Sequence, residues 1–398
     1  MNAPRVVSDE LSDADRQLLV ALRRDLHRRP ELSWAETATQ ARLERALHDV
    51  GVITASRVAR TGLVAVIPGR DTAVRAVALR GDIDALPITE NTGLPFASEM
   101  PGVMHACGHD VHAAWAVGAA LLLARSPAAG EVRIVLQPAE ETGEGAAAIL
   151  ESGALEGVGA IFGGHVDRRF EVGQIVAQSG AVGASTDTFH IVLHGNGAHG
   201  ARPQEARDPI VGAAFLVTAL QTIISRRLDP ALAGVVSVCS VNAGRAANVI
   251  PDRADLSGTI RATTSGARAL LCDEVQRLSH AVAAAHGLTA EIRLSEGTPP
   301  VVNDPRCAAW AAEAAHAVLG PDAVVPLGTT NMGGEDFAFY LERMPGCFLR
   351  VGAREPGGAL MPAHSPQYYA AEDALFVGAR VLAQCARVAS EAISALAT

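Results

Sequence analysis

Five short stretches of the 398-residue chain gather side chains able to bind a metal or move a proton. They are Arg80-Gly-Asp82-Ile-Asp84, His105-Ala-Cys107-Gly-His109-Asp110-Val-His112, Gln137-Pro-Ala-Glu140-Glu141, Gly163-Gly-His165 and His364-Ser-Pro. Thiolate, imidazole and carboxylate from separate loops are the ligands that a divalent transition metal takes. One Cys, several His and a Glu exceed what a single tetrahedral ion with an open position needs. Two ions bridged by one ligand would use them all. Taken singly, each residue has a plainer reading. A His beside an apolar run is usually a satisfied structural residue, and an isolated Cys a small buried hydrophobe. Glu140-Glu141 reads equally as a solvated pair, and Asp82 and Asp84 as caps of a turn. His112, three residues after His109 on one predicted helix face, reads as structural or as support for a ligand. The pointer to a site is convergence: four of the five stretches follow a predicted strand or precede a predicted helix.

The elements that must position these stretches are legible as periodicity. Leu18, Leu22 and Leu26 recur every four residues, and Leu43, Ala46, Leu47 and Val50 keep helical spacing until Gly51 stops it. Short apolar runs then alternate with helices: Leu63–Ile67, Val74–Leu79, a helix from about Val111 to Arg125, Val132–Leu136 and Ala160–Phe162. This predicts an α/β fold with a mostly parallel sheet covered on both faces, its functional residues in loops at strand ends. The middle of the chain changes rhythm. Strand Thr188–Leu193, helix Pro209–Arg226, strands Val235–Val241 and Ala254–Arg261, helix Gly266–His286 and strand Thr289–Leu294 follow in turn. That β-α-β-β-α-β order predicts an inserted ferredoxin-like α+β domain over 184–297, with the main domain in two parts, 1–183 and 298–398. Helix Asp304–Leu319, strand Cys347–Val351 and a closing helix from Ala371 resume the α/β pattern.

Composition excludes several functional classes. Hydrophobic residues at 49% against charged residues at 19% give material for a large core and argue against disorder. A net charge of −10 argues against a nucleic-acid or anionic-membrane partner. The run Val111–Ala124 contains His112 and is shorter than the roughly 20 residues that span a bilayer. Met1 to Arg16 alternates charges without an apolar core, so no signal peptide is expected. Cys107, Cys239, Cys272, Cys307, Cys347 and Cys385 form no C-x-x-C pair, so reduced thiols and a cytoplasmic protein are expected. Gly195-Asn-Gly197-Ala-His199-Gly200 fits G-x-G-x-x-G, yet it leads into Ala-Arg-Pro203 and opens no helix, so a dinucleotide site is rejected. The glycines there let His199 approach a ligand closely.

Together the motifs resemble the amidohydrolase family of hippurate hydrolases, N-acyl-amino-acid amidohydrolases and auxin-conjugate hydrolases, which is related to dinuclear aminoacylases and carboxypeptidases. The resembling segments are LRGDIDALPI (79–88), MHACGHDVHAA (104–114), QPAEETGEGA (137–146), GNGAHGARP (195–203), NVIPD (248–252), GTIRA (258–262), GGEDFAFY (333–340) and HSP (364–366). They occur in the family's order over nearly the whole chain. The resemblance implies a two-metal catalytic domain, 1–183 and 298–398, interrupted by a lid that also dimerises, 184–297. Cys107 then looks like a bridging thiolate, with His109 and His165 on one metal and Glu141 and His364 on the other. Glu140 takes the place of the general base, and Asp82 that of a carboxylate that orients a ligand His. His199, Asn248 and Arg261 match residues that hold the scissile carbonyl and the substrate's carboxylate, and the backbone of Gly333-Gly334 further carboxylate recognition.

The implied activity is hydrolysis of N-acyl-L-amino acids by a metal-bound water, with two divalent ions (Zn, Mn, Co or Ni) per subunit and a homodimer joined through the lid. A dipeptidase or carboxypeptidase with the same chemistry, and a non-catalytic metal-binding relative, are the alternatives. Two departures stand out. Asp167-Arg168-Arg169 follows His165 where many relatives carry an aromatic residue and a proline, and Gly334 stands where Ser or Ala is usual. Glu140 and Glu141, adjacent at a predicted strand end, are expected to point apart, one to a metal and one to the water.

Overall fold

A helix without a polar face lies at the centre of the fold. From His109 to Leu123 every residue of the His109–Arg125 helix is buried, as befits a helix surrounded by protein. It packs between the helices Asp13–Arg28 and Asp373–Ala397. A side chain at Gly118 would meet Ala379 at 2.8 Å and Leu19 at 2.9 Å, so this glycine sets the approach of all three helices. The helix starts after Gly108, whose φ of +89° places it in the left-handed region and whose absent Cβ would lie 2.4 Å from Val166. The Cys107-Gly108-His109 stretch thus enters the helix through a turn pressed against a strand.

This structure, a computed structural model, describes residues 10–397; the first nine residues, part of the segment read for a signal peptide, lie outside the described residues. The chain separates into two units: Met1–Gly180 with Asn303–Thr329 and Asp336–Thr398, and Ala181–Val302 with Thr330–Glu335. The first unit is mixed α/β around a seven-stranded sheet. Its strand order is Ala55–Val58, Gly62–Ile67, Val132–Gln137, Ala76–Asp82, Val158–Glu171, Gly346–Arg354, Ile175–Val176. The central four strands are parallel to one another, whereas the outer pairings are antiparallel. The expectation of a mostly parallel sheet is therefore corrected to a mixed sheet with a parallel centre. Ala55–Val58 and Gly62–Ile67 form a hairpin through Ala59 and Arg60, both at positive φ, and a short apolar run carries no record of strand direction.

The Val158–Glu171 strand is far longer than the Ala160–Phe162 run expected. Beyond Phe162 the apolar run breaks at two glycines and then alternates, His165 and Asp167 half-buried, Val166 and Arg168 buried. One face of a strand that lines a site is polar, which hid it from an apolar-run reading.

The second unit carries a four-stranded antiparallel sheet in the order Gly234–Ala243, Arg253–Ala262, Asp187–His194, Thr289–Glu296. The helices Pro209–Arg226 and Ser265–Ala285 pack on it and on each other. Phe189, Ile191, Leu193, Leu216, Leu256, Ile260 and Leu271 form its separate core. Among the described helices Pro209–Arg226 is the one long and apolar enough, by length and composition, to cross a membrane. Its Gly212, Ala213, Leu216, Leu220 and Ile223 are buried, while Ile210, Val211 and Phe215 are exposed.

Candidate metal centre

The parallel strands of the first unit bring their carboxyl ends to one place, as an open α/β sheet does. Asp82 ends one strand, the Gln137-Pro-Ala-Glu140-Glu141 turn follows the next, and His165 lies on the third. Cys107 and His109 arrive at the start of the central helix, and His364 from the loop before the last helix. Cys107, His109 and His165 each offer a ligand atom within 4.8 Å of the others, and so do Cys107, Glu141 and His364. Cys107 belongs to both groups. Its sulfur lies 3.2 Å from Nε2 of His165, and Nε2 of His364 lies 3.5 Å from Glu141. Separations of this size suit atoms that share an ion at about 2.0–2.3 Å from each.

The imidazoles are oriented for the task. Nδ1 of His109 faces the Asp84 carbonyl at 2.9 Å, and Nδ1 of His165 the Val166 carbonyl at 2.7 Å. A carbonyl only accepts, so Nδ1 carries the proton in both rings and Nε2 is turned to the centre. Nε2 of His109 and Oε1 of Glu141 are buried without hydrogen-bond partners, which fits atoms reserved for a metal. In the metal-free protein, burial and the Glu141 charge push the Cys107 thiol up to about 12. Burial opposes a charge on His109, yet Asp82 and Asp84 hold its pKa well above the ordinary value. His364 is raised by the neighbouring Glu141 carboxylate. Burial, with His112 and Arg350 nearby, lowers His165.

Glu140 and Glu141 do not point apart. Each has an oxygen within 4 Å of Nε2 of His109, at 3.9 and 3.8 Å. The strand has ended at Gln137, Ala139 sits at φ +52°, and Gly143 N–H bonds the Glu140 carbonyl at 2.7 Å. A tight turn, not strand alternation, sets their directions.

Behind the ligands lies a buried layer that residue spacing only partly disclosed. Asp84 contacts Nδ1 of His109 through a carboxylate oxygen at 3.2 Å, and accepts from the Ser33 hydroxyl and the Glu141 N–H. Asp82 bonds Nδ1 of His112 at 2.6 Å and lies 3.6 Å from Nε2 of His109. The carboxylate against the outward nitrogen of His109 is thus Asp84, which the sequence offered as a turn cap. His112 accepts from Val166 N–H at 2.9 Å, so both its nitrogens are occupied and it supports the site rather than completing it. Arg80 donates to Asp82 at 2.6 Å, to Gln137 at 2.8 Å and to Asp336 at 2.9 Å, all buried. The two-residue spacing of Arg80 and Asp82 on one strand face signals that pair; no local pattern links Asp336 to them.

The remaining candidates lie in the second unit. His199 is exposed on a two-stranded ribbon, opposite Val249, and Gly200 N–H bonds the Asn248 carbonyl at 2.8 Å, so His199 and Asn248 are neighbours. Arg261 lies on the Arg253–Ala262 strand, where burial lowers its pKa. The Gly333 carbonyl accepts from Ala184 N–H, and a Cβ on Gly334 would meet Thr186 at 2.3 Å.

Sulfur, imidazole and carboxylate ligands at strand ends, with a further carboxylate among them, define a metal-dependent hydrolase. The model of peptidase family M20/M25/M40 matches residues 78–388, and the chain belongs to this family of dinuclear-metal enzymes acting on amides or peptides. N-acetylcysteine deacetylase of Bacillus subtilis (strain 168) is 40% identical over 379 residues, covering 94% of this chain and 97% of the relative. Thermostable carboxypeptidase 1 of Saccharolobus solfataricus is 35% identical over 91% of this chain and 92% of its own. The solved structure of the Bacillus subtilis YXEP protein, described as a dinuclear metal binding peptidase from M20 family, is 38% identical. It superposes with a TM-score of 0.85 over 96% of this chain and 99% of that one.

Proposed function

We propose that this enzyme hydrolyses N-acyl-L-amino acids to a carboxylic acid and a free amino acid. The observation that carries the reading is Glu140, a carboxylate set beside the ligand cluster, 3.9 Å from Nε2 of His109. Cys107 would bridge, His109 and His165 would hold one ion, and Glu141 and His364 the other. Two divalent ions there, Zn, Mn, Co or Ni, would supply Lewis acidity and an acidified water. Glu140 takes the proton of the attacking water and returns it to the leaving nitrogen. Asp84 and Asp82 keep His109 and His112 in place while this happens.

The residues 184–297 are proposed as a lid and dimerisation domain, and 1–183 with 298–398 as the catalytic domain. Exposed Ile210, Val211 and Phe215 on one helix, and exposed Val241 on the edge strand Gly234–Ala243, support a homodimer formed there. His199 and Asn248 are proposed to meet the scissile carbonyl, and Arg261 with the Gly333-Gly334 backbone the substrate carboxylate, for which a guanidinium fork is suited. A thiolate ligand and the exposed Cys239 suit a reducing compartment, and we place the enzyme in the cytoplasm.

The N-acyl reading is supported by the 40% identity to a deacetylase, and a peptidase reading by the 35% identity to a carboxypeptidase. Turnover of hippurate, N-acetyl amino acids and dipeptides, with Zn, Mn or Co added, separates them. Faster cleavage of dipeptides than of any N-acyl amino acid would replace this reading with the peptidase one, and no cleavage of either would leave a metal-binding protein.

A further inference from the structure

Arg168 is a buried cation three residues beyond His165 on the same strand. An odd spacing puts the two side chains on opposite faces. Its side chain is 1% exposed, and its guanidinium works almost wholly on one loop. Nη1 donates to the carbonyls of Ala353 and Tyr369, both at 3.2 Å, and to the Glu355 carboxylate at 3.0 Å. Nη2 donates to the Ala359 carbonyl at 2.8 Å. The guanidinium carbon lies 4.4 Å from the centre of the Tyr369 ring, and the Tyr369 hydroxyl bonds Glu355 in turn. These contacts seize the loop 355–372 before and after His364, drawing its two limbs to one point.

His364 needs such support. It is the most exposed of the five proposed ligands, with a side chain 54% exposed, and its backbone is held at φ +66°. Its own N–H bonds the Ala106 carbonyl at 2.8 Å, which anchors the middle of the loop next to Cys107. Arg168 anchors the flanks. A positive φ at a non-glycine residue persists only where the surroundings impose it, and a clamp with three acceptors on the flanks and a fourth, Ala353, on the adjoining strand does so.

We propose that Arg168 is a positioning residue for the metal held by Glu141 and His364. One strand thereby serves both metals: its half-buried face carries His165, and its buried face fixes the loop that presents His364. The proposal rests on the reading of His364 as a ligand. Lysine at 168 keeps the charge and the stem but has no planar fork to reach four acceptors.

The test is stepwise titration of the chelated full-length enzyme with Zn or Mn, in wild type, Arg168→Lys and His364→Ala. Outer partners of metal ligands typically contribute about 10- to 100-fold in affinity. Arg168→Lys is expected to weaken one binding step by about that factor and leave the other unchanged. Amide hydrogen exchange over 359–364 in the metal-free variant is expected to quicken. Equal weakening of both steps, or unchanged affinities and exchange, overturns the proposal. If His364→Ala weakens one step and Arg168→Lys none, the clamp alone fails. If His364→Ala weakens neither, the ligand assignment fails and takes the clamp with it. Should Arg168→Lys not fold, Tyr369→Leu removes the ring under the guanidinium at a half-buried position. It is expected to give a smaller loss at the same step, and unchanged affinities with unchanged loop exchange would overturn the proposal equally.

Discussion

Asp84 holds His109 by two acceptors at once, its backbone carbonyl at 2.9 Å and its carboxylate at 3.2 Å from the same Nδ1. Both accept, so turning the ring over would leave two buried oxygens against a C–H, and the other tautomer would leave them against a bare nitrogen; Nε2 stays directed at the centre. The carboxylate also accepts from the Glu141 N–H at 3.0 Å, joining the ligand sets proposed for the two metals. Asp84→Ala is expected to weaken metal binding by about 10- to 100-fold, with the fold intact. Chelator competition measures it. Wild-type affinity in this variant would show that the ring is held by its carbonyl contact alone.

Metal binding is expected to release protons, and Cys107 is one source of them. With its thiol pushed up to about 12 by burial and Glu141, Cys107 is protonated in the metal-free protein at neutral pH. A metal takes the thiolate, so the proton must leave. Titrating chelated enzyme with Zn at pH 7 in weak buffer is expected to release about one proton more from wild type than from Cys107→Ala. Alkylation of metal-free Cys107 is expected to be slow at pH 8 and to speed up as pH rises, because the thiolate is the nucleophile. Equal proton release in both proteins would remove Cys107 from the centre.

The metal motifs were legible in the sequence because ligand chemistry limits the residue types, and strand ends limit where they stand. Cys107, His109, Glu141, His165 and His364 do meet in the first unit. Strand direction was not legible: Gly62–Ile67 reads as an apolar run whether its neighbour is parallel or antiparallel. The reach of the Val158–Glu171 strand was hidden by its polar face. Asp336 was out of sight for another reason. Its partners Arg80 and Gln137 are more than 190 positions away in the chain, and only the folded sheet brings them together.

A second buried charge cluster is expected to make stability depend on pH. Arg23 bonds Asp110 at 2.7 Å, and His27 bridges Asp110 at 2.9 Å and Glu90 at 3.3 Å, with Arg23, His27 and Asp110 almost wholly buried. Burial alone would lower His27, but Asp110 and Glu90 hold it above its ordinary value. A raised folded pKa gives stability that is complete below the unfolded value near 6.5 and fades as pH rises through the folded value. Asp110 is the reverse case. Against burial, Arg23 and His27 hold it far below its usual range, so its contribution is present above about 3.9 and is lost as pH falls towards the folded value. Urea unfolding of metal-free protein between about pH 6 and 9 is expected to show a decline that His27→Gln flattens. Asp110→Asn, which removes the carboxylate that Arg23 and His27 share, is expected to cost about 3–5 kcal/mol at pH 7. A loss below about 1 kcal/mol, the scale of an exposed pair, would mean the cluster is solvated.

Glu140 and Glu141 offer the sharpest division of roles, because they are adjacent, equally buried and almost equidistant from Nε2 of His109. What separates them is the company of the other ligands. Glu141 also reaches His364 at 3.5 Å and groups with Cys107, while Glu140 belongs to neither of the two Cys107 groups. On this ground we propose Glu141 as the ligand and Glu140 as the base. General-base action contributes about 10²- to 10⁴-fold, so Glu140→Gln is expected to lose at least that much kcat. Gln is isosteric and keeps the turn through Ala139 and Gly143, so two ions per chain and nearly unchanged KM are expected with it. Glu141→Gln removes a charge from the ligand set, and is expected to lose affinity for one ion, with activity returning as metal is raised. Metal analysis of purified variants, with kcat measured across a range of metal concentration, reads both. If activity in Glu140→Gln returns with added metal and in Glu141→Gln does not, the roles are exchanged. If Glu140→Gln turns over near the wild-type rate with both ions bound, no proton passes through Glu140 and another group must take it.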